Sequence, residues 1–232
     1  MIQEMLYTNL IMNKGARNIS KNLYIERETF QPVDAIEPKR CYVTSQTINN
    51  LDESNERYTP QLSREVFQKR LQLAKDIVLG LSEEELDASI ASAHYPKRLR
   101  AYNSVQWYKG VVHADEIGVW KGAGGLPRSW TEGSLKETAM RVSQALQEGS
   151  NILVARAKRA IPRMRENLDI IASEPYLYPI ILPGGTMGRG LYGRSLKGFR
   201  LMKGDIEDGC MRSITLVASG REQFIAYVGI KR

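Results

Sequence analysis

"FRLMKGDIEDGCMRSITLVASGREQFIAYVGIKR", residues 199–232, is the stretch on which the fold of this chain turns. Turn residues punctuate it twice, as "GDIEDG" at 204–209 and "SGRE" at 219–222. Apolar residues then recur at every second position. Ile214, Leu216 and Ala218 share one face of an extended chain, and Phe224, Ala226 and Val228 share one face of the next. A period of two, with β-branched and aromatic residues between polar turns, predicts strands. The C-terminal part therefore reads as an antiparallel sheet or hairpin in which the two triplets match across the turn.

Upstream the period becomes helical. Val66, Phe67, Leu71, Ala74, Ile77 and Val78 predict a helix from about Ser63 to Leu79, stopped by Gly80. Ser82 with Glu85 is a capping box that opens a short helix through Ala91, and Pro96 ends that pattern. Ser134 and Glu137 repeat the box ahead of the stripe Leu135, Ala139, Val142 and Leu146, which Gly149 terminates. Val154, Ala157, Ile161, Met164, Leu168 and Ile171 mark a longer helical run over 151–173. Pro162 falls inside it and predicts a kink or two helices in tandem. Nearer the N-terminus, "NLYIERETF" (22–30) and "RCYVTSQTI" (40–48) read as short strands, and "NNLDESNERYTPQ" (49–61) as a loop. The segment 111–133 opens as a strand or hairpin, and its "GAGGLP" (122–127) reads as a flexible loop. The expectation is one α+β domain over 1–232: short N-terminal strands, central helices and a C-terminal antiparallel sheet.

A chain of 232 residues with ordinary globular composition buries enough surface to fold without a staple. Cys41 and Cys210 are too few for a disulfide framework and fit a reducing compartment. Together with His94 and His113 they do not make a structural zinc site, and no cofactor is expected. No apolar run reaches the length of a membrane span, and "MIQEMLYTNLIMNK" lacks the basic start and cleavage site of a secretory signal. The cytoplasm, or a particle assembled there, is the expected location.

Charge points to a partner. Residues 156–203 hold ten cations against three acids, which accounts for the whole net charge of +7. Arg156, Arg159 and Arg163 fall on one side of the predicted helix, with Lys158 and Arg165 in an adjacent row. "GGTMGRGLYGRSLKGFR" (184–200) adds Arg189, Arg194, Lys197 and Arg200 among six glycines, and reads as a flexible segment with Tyr192 available to stack on a base. Its GxGxxG letters sit before a predicted strand, the wrong context for a dinucleotide fingerprint, and the P-loop spacing is absent. A second cluster, "HYPKRLRAYNSVQWYKG" (94–110), interleaves Arg98 and Arg100 with Tyr102 and Tyr108, while Trp107 is expected in the core. These residues together predict a nucleic-acid-binding protein, DNA or RNA, that contacts the phosphate backbone.

Two alternatives belong to other classes. One is an assembly subunit of a viral particle or ribonucleoprotein, whose glycine-rich arm orders on a copy of itself or another subunit. The other is a magnesium-dependent nuclease, in which His113, Asp115 and Glu116 would meet Asp205, Glu207 and Asp208. Asp34, Glu37 and Lys39 in "VDAIEPK" have the residue types of a nuclease D…ExK set at too short a spacing. Hairpin turns explain the acids of "GDIEDG" without a metal.

Overall fold

The expected C-terminal strand is present, but its partner lies elsewhere in the chain. The computed structural model describes residues 29–51, 63–92, 97–149, 155–182 and 206–231, and all their side chains except those of 155–159 and 231. In chain order the elements are β1 (Gln31–Pro32), α1 (Ile36–Asn50), α2 (Arg64–Leu79), α3 (Glu83–Ser92), α4 (Lys97–Asn103), β2 (Val105–His113), α5 (Leu135–Gln147), α6 (Ala155–Glu166), α7 (Leu168–Ser173), β3 (Ile180–Ile181), β4 (Ile206–Asp208), α8 (Cys210–Ala218) and β5 (Gln223–Lys231). The fold is α+β, with a mixed sheet in the order β1-β2-β5-β3-β4. β2 and β5 pair antiparallel over their full lengths, from Val105 opposite Lys231 to His113 opposite Gln223. β3 lies parallel to β5 on its other side.

Alternation along these strands divides the interior in two. Val112, Phe224, Ala226, Val228 and Ile181 join one core with α5, α6 and α8. Val105, Trp107, Tyr227 and Ile180 join a second with α1, α3 and α4. The sheet is therefore covered by helices on both faces. Phe224, Ala226 and Val228 share a buried face as their spacing predicts, and "SGRE" is the turn before β5.

Three helix starts sit where the sequence put them. Ser63 Oγ accepts from the Val66 amide at 3.4 Å. The Ser82–Glu85 box closes with bonds of 2.8 and 3.2 Å, and the Ser134–Glu137 box with bonds of 2.9 and 3.2 Å. Each box satisfies two amides that the first helical turn leaves without partners. The stripe on α5 is buried at Leu135, Ala139 and Val142.

Two strand expectations are overturned. Residues 40–48 lie inside α1, and 210–218 form α8 rather than one arm of a hairpin. Both helices are buried almost all round: Cys41 to Ser45 run without an exposed residue, as do Ser213 to Val217. With so few exposed positions neither helix offers a continuous polar side, so β-branched content and a chance alternation dominate the reading. Local signals for both starts exist. Asp34 Oδ1 accepts from the Ile36 amide at 2.9 Å, and Pro38 sits in the first turn, where its missing amide costs nothing. Gly209, at φ +88, turns the chain from β4 into α8, so Glu207 and Asp208 belong to a strand edge.

The tandem helices expected over 151–173 are present as α6 and α7. The break falls at Asn167 instead of Pro162, which α6 carries on an exposed side. "GAGGLP" forms a tight, largely buried 3-10 turn rather than a flexible loop. Gly124 has φ +62, and a Cβ there would lie 2.1 Å from Met211 Sδ, so both backbone and space require glycine. The 22–28 part of the first strand expectation, the loop over 52–61 and the segment 184–200 lie outside the described residues.

Candidate functional site

The structure takes two of the residues expected at a nucleic-acid surface out of reach of any partner. Arg98, in the first turn of α4, is buried. Its Nε donates to the Glu207 carboxylate of β4, and its Nη1 donates to Tyr42 Oη at 2.5 Å. The guanidinium also lies over the Tyr42 ring, 4.8 Å from its centroid. Burial opposes the charge on Arg98, but Glu207 more than offsets it and the pKa is raised. Tyr102, one helical turn on, is wholly buried, edge-on to Tyr42 at 6.0 Å and against Trp107 at 5.1 Å. Neither Arg98 nor Tyr102 meets phosphate or a base from these positions. The four-residue spacing that puts them on one inward face is the signal in the sequence. Trp107 is a core residue, as expected.

Arg100 is exposed, in an open surface depression with Ala91, Leu99, Asn103 and Ser104. However, α4 packs on the sheet face opposite to the one that carries α6, so Arg100 does not extend a surface on α6. Tyr108 is half-buried and stacked on Phe30 at 6.4 Å. Arg189, Arg194, Lys197, Arg200 and Tyr192 lie outside the described residues, and Arg156 and Arg159 are placed by backbone only, in α6.

Several of the acids considered for a metal are engaged otherwise. Glu207 bonds Arg98, and Asp208 bonds Arg212 at 2.7 Å. The two acid segments do approach, through the Ile206 amide and the Gly118 carbonyl at 3.2 Å. Yet among the described residues no three of His, Cys, Asp and Glu gather as metal ligands. Glu37 accepts from Tyr227 Oη at 3.2 Å, and the buried Lys39 bridges Glu83 and Asp87 at 2.9 and 2.7 Å. Burial works against the Lys39 ammonium, but those two carboxylates hold its pKa above the ordinary value.

What remains is α6 and the hollow beside it. Ala160 and Ile161 turn inward on α6, and Arg165 stands exposed while donating to the Ala218 carbonyl at 3.2 Å, at the C-terminus of α8. Two acids that follow α6 in sequence turn away from it. Asp169 pairs with Arg64 at 2.5 Å and Glu174 with Lys75 at 3.0 Å, both cations belonging to α2. Arg163 lines a cavity of about 90 Å³ between α1, α2, α6 and α8. Its walls are apolar at Ile48, Phe67, Ala160, Met164, Ile171 and Leu177, and polar at Ser45, Asn49, Asn167 and Arg212. Sequence reasoning reached Arg163 and missed Asn167 and Arg212, which carry no motif and converge only in the fold.

Both thiols are inert in this arrangement. Cys41 Sγ donates to the Tyr178 carbonyl at 3.1 Å and Cys210 Sγ to the Ile206 carbonyl at 3.5 Å, and both are buried and free. Burial pushes the Cys41 thiol far above its usual range and the Cys210 thiol up to about 12. Native protein at pH 8 is therefore expected to leave Ellman's reagent uncoloured for hours and to release two equivalents of product once urea unfolds it. Rapid colour without urea would show that one of the two sites opens readily.

Among the described residues no helix is long and apolar enough to cross a membrane. No family model, curated protein or solved structure matches the chain.

Proposed function

We propose that the protein binds nucleic acid through phosphate contacts made by α6 and by the cation-rich segment that follows in sequence. The observation that carries this reading is the pairing of Asp169 and Glu174 with Arg64 and Lys75 of α2. It takes up two of the three acids of residues 156–203 and leaves Glu166 as the only acid within α6, against Arg156, Lys158, Arg159, Arg163 and Arg165. A further run without any acid, 175–204, follows and brings Arg189, Arg194, Lys197 and Arg200. Cations at this density attract a polyanion whatever its base sequence.

Fluorescence anisotropy with mixed-sequence single-stranded and duplex probes across a salt series tests it. Binding should weaken steeply with salt, with a log–log slope of about −0.9 per phosphate neutralised on duplex DNA and about −0.7 on single strands. Replacing Arg156, Arg159 and Arg163 together by glutamine should reduce the magnitude of that slope by about two to three on duplex DNA. Absence of binding to every probe at low salt would discard the reading.

An exposed apolar row on α2 favours assembly as a second reading. Val66, Leu73 and Ile77 recur along one side of that helix and are 38–49% exposed. Such a row is the kind of surface that copies of a subunit cover. Light scattering with and without nucleic acid separates the readings, since a strict monomer in both states argues against assembly.

A further inference from the structure

We infer that Trp120 is a base-stacking site beside the basic helix α6, and that the nucleic acid it takes is single-stranded. This rests on the phosphate-binding reading above. Trp107 and Tyr102 are closed inside the protein, and Tyr108 is stacked on Phe30. Trp120 packs on the core formed with α5, α6 and α8 but is only half-buried, so it stays open to solvent in part. Its carbonyl accepts from the Ala123 amide at 3.0 Å, and the Gly122 amide donates to Thr131 Oγ1 at 2.9 Å. The turn over 122–127 therefore fixes the backbone at Trp120 before a ligand arrives, which lowers the ordering cost of binding.

The fold brings positive charge to this residue from several sides. The C-terminal half of α6 lies along the C-terminal half of α8, with Met164 Sδ 3.6 Å from Thr215 Oγ1 and Arg165 on the Ala218 carbonyl. Met211, in the first turn of α8, lies against Gly124, and the turn that holds Gly124 also packs on α6. The two helices thus run parallel, and α6 meets the turn with its N-terminal half, the part of its sequence that holds Arg156, Lys158 and Arg159. Lys121 is 35% exposed, and the exposed Arg128 has its Cγ 3.9 Å from where a Cβ on Gly122 would stand. Residues 117–131 contain no acid. On the other side, the Ile206 amide donates to the carbonyl of Gly118, two residues before Trp120.

Every base has a π face, so stacking on tryptophan is tolerant of sequence, as the phosphate contacts are. In a duplex the bases are stacked on one another and reach a protein ring only when flipped out. A single strand offers its bases to Trp120 and its phosphates to the flanking cations at once.

Fluorescence anisotropy on the full chain, with oligo-dT, a duplex of equal length and an abasic strand of equal length, tests the site. Trp120→Ala should weaken oligo-dT binding by about 5- to 100-fold, the value of one stacked base, and leave the salt slope as it was. The duplex and the abasic strand should bind the variant within about twofold of wild type, because neither presents a base to the ring. Oligo-dT should also quench the intrinsic fluorescence of wild type. Trp120→Phe keeps a ring packed on the core and should remove most of that quenching, which carries the test if the alanine variant fails to fold. Unchanged oligo-dT affinity in the folded alanine variant, an equal loss on all three probes, or quenching undiminished in the phenylalanine variant would each overturn the stacking site while the phosphate contacts stand. Absence of wild-type binding to every probe would instead discard the phosphate reading and this inference with it.

Discussion

Arg98→Met is expected to cost about 3–5 kcal/mol of folding stability, the usual effect of removing one partner of a buried ion pair. The variant leaves the Glu207 carboxylate in the interior without the countercharge that it has in the native fold. It also removes the donor to Tyr42 Oη and the cation over the Tyr42 ring. The double variant Arg98→Met with Glu207→Leu should recover most of the loss, because an apolar pair of similar volume avoids the desolvation of both charges. Urea denaturation of wild type, both single variants and the double variant measures the coupling directly. A single-variant loss below about 1 kcal/mol is the size seen for an exposed pair, and would return Arg98 to the surface. In nucleic-acid titrations a folded Arg98 variant should bind as wild type does.

Trp107→Ala should destabilise by a similar amount, about 3–5 kcal/mol, for a different reason. Trp107 is 1% exposed near the start of β2, directly opposite Gly229 of β5. Its ring packs on Tyr102, and its indole N–H donates to the Tyr102 carbonyl at 3.0 Å. Alanine leaves a cavity between the sheet and α4 and deprives that carbonyl of its donor. For a chain of this length each kcal/mol lowers the melting temperature by about 2–4 °C, so a fall of about 10 °C is the expected reading. Trp107→Phe keeps much of the volume and should lose about half as much. If alanine lowers the melting point by less than about 2 °C, the pairing of β2 with β5 is not the spine of the fold.

Several elements were legible because their signals are local. Ser63, the two capping boxes and Gly80 act on neighbours within four residues, and α2, α3 and α5 begin or end at them. Phe224, Ala226 and Val228 declare a buried face by their spacing alone. α1 and α8 were not legible, because β-branched residues and a chance alternation give both short segments the look of strands. The basic cluster at 94–110 misled for a related reason. Composition counts Arg98 as a surface cation, whereas Glu207, 109 residues later, makes it an interior one.

The sequence by itself determined the class of the fold, the capped helices, the face of β5 and the concentration of positive charge in 156–203, since each follows from spacing or composition over short range. Only the tertiary structure decided that β5 pairs with β2, that α4 and α6 lie over opposite faces of the sheet, and that Asn167 and Arg212 share a cavity. Those outcomes depend on contacts between residues distant in the chain, where partner choice is set by burying two apolar faces at once, and no local pattern encodes it.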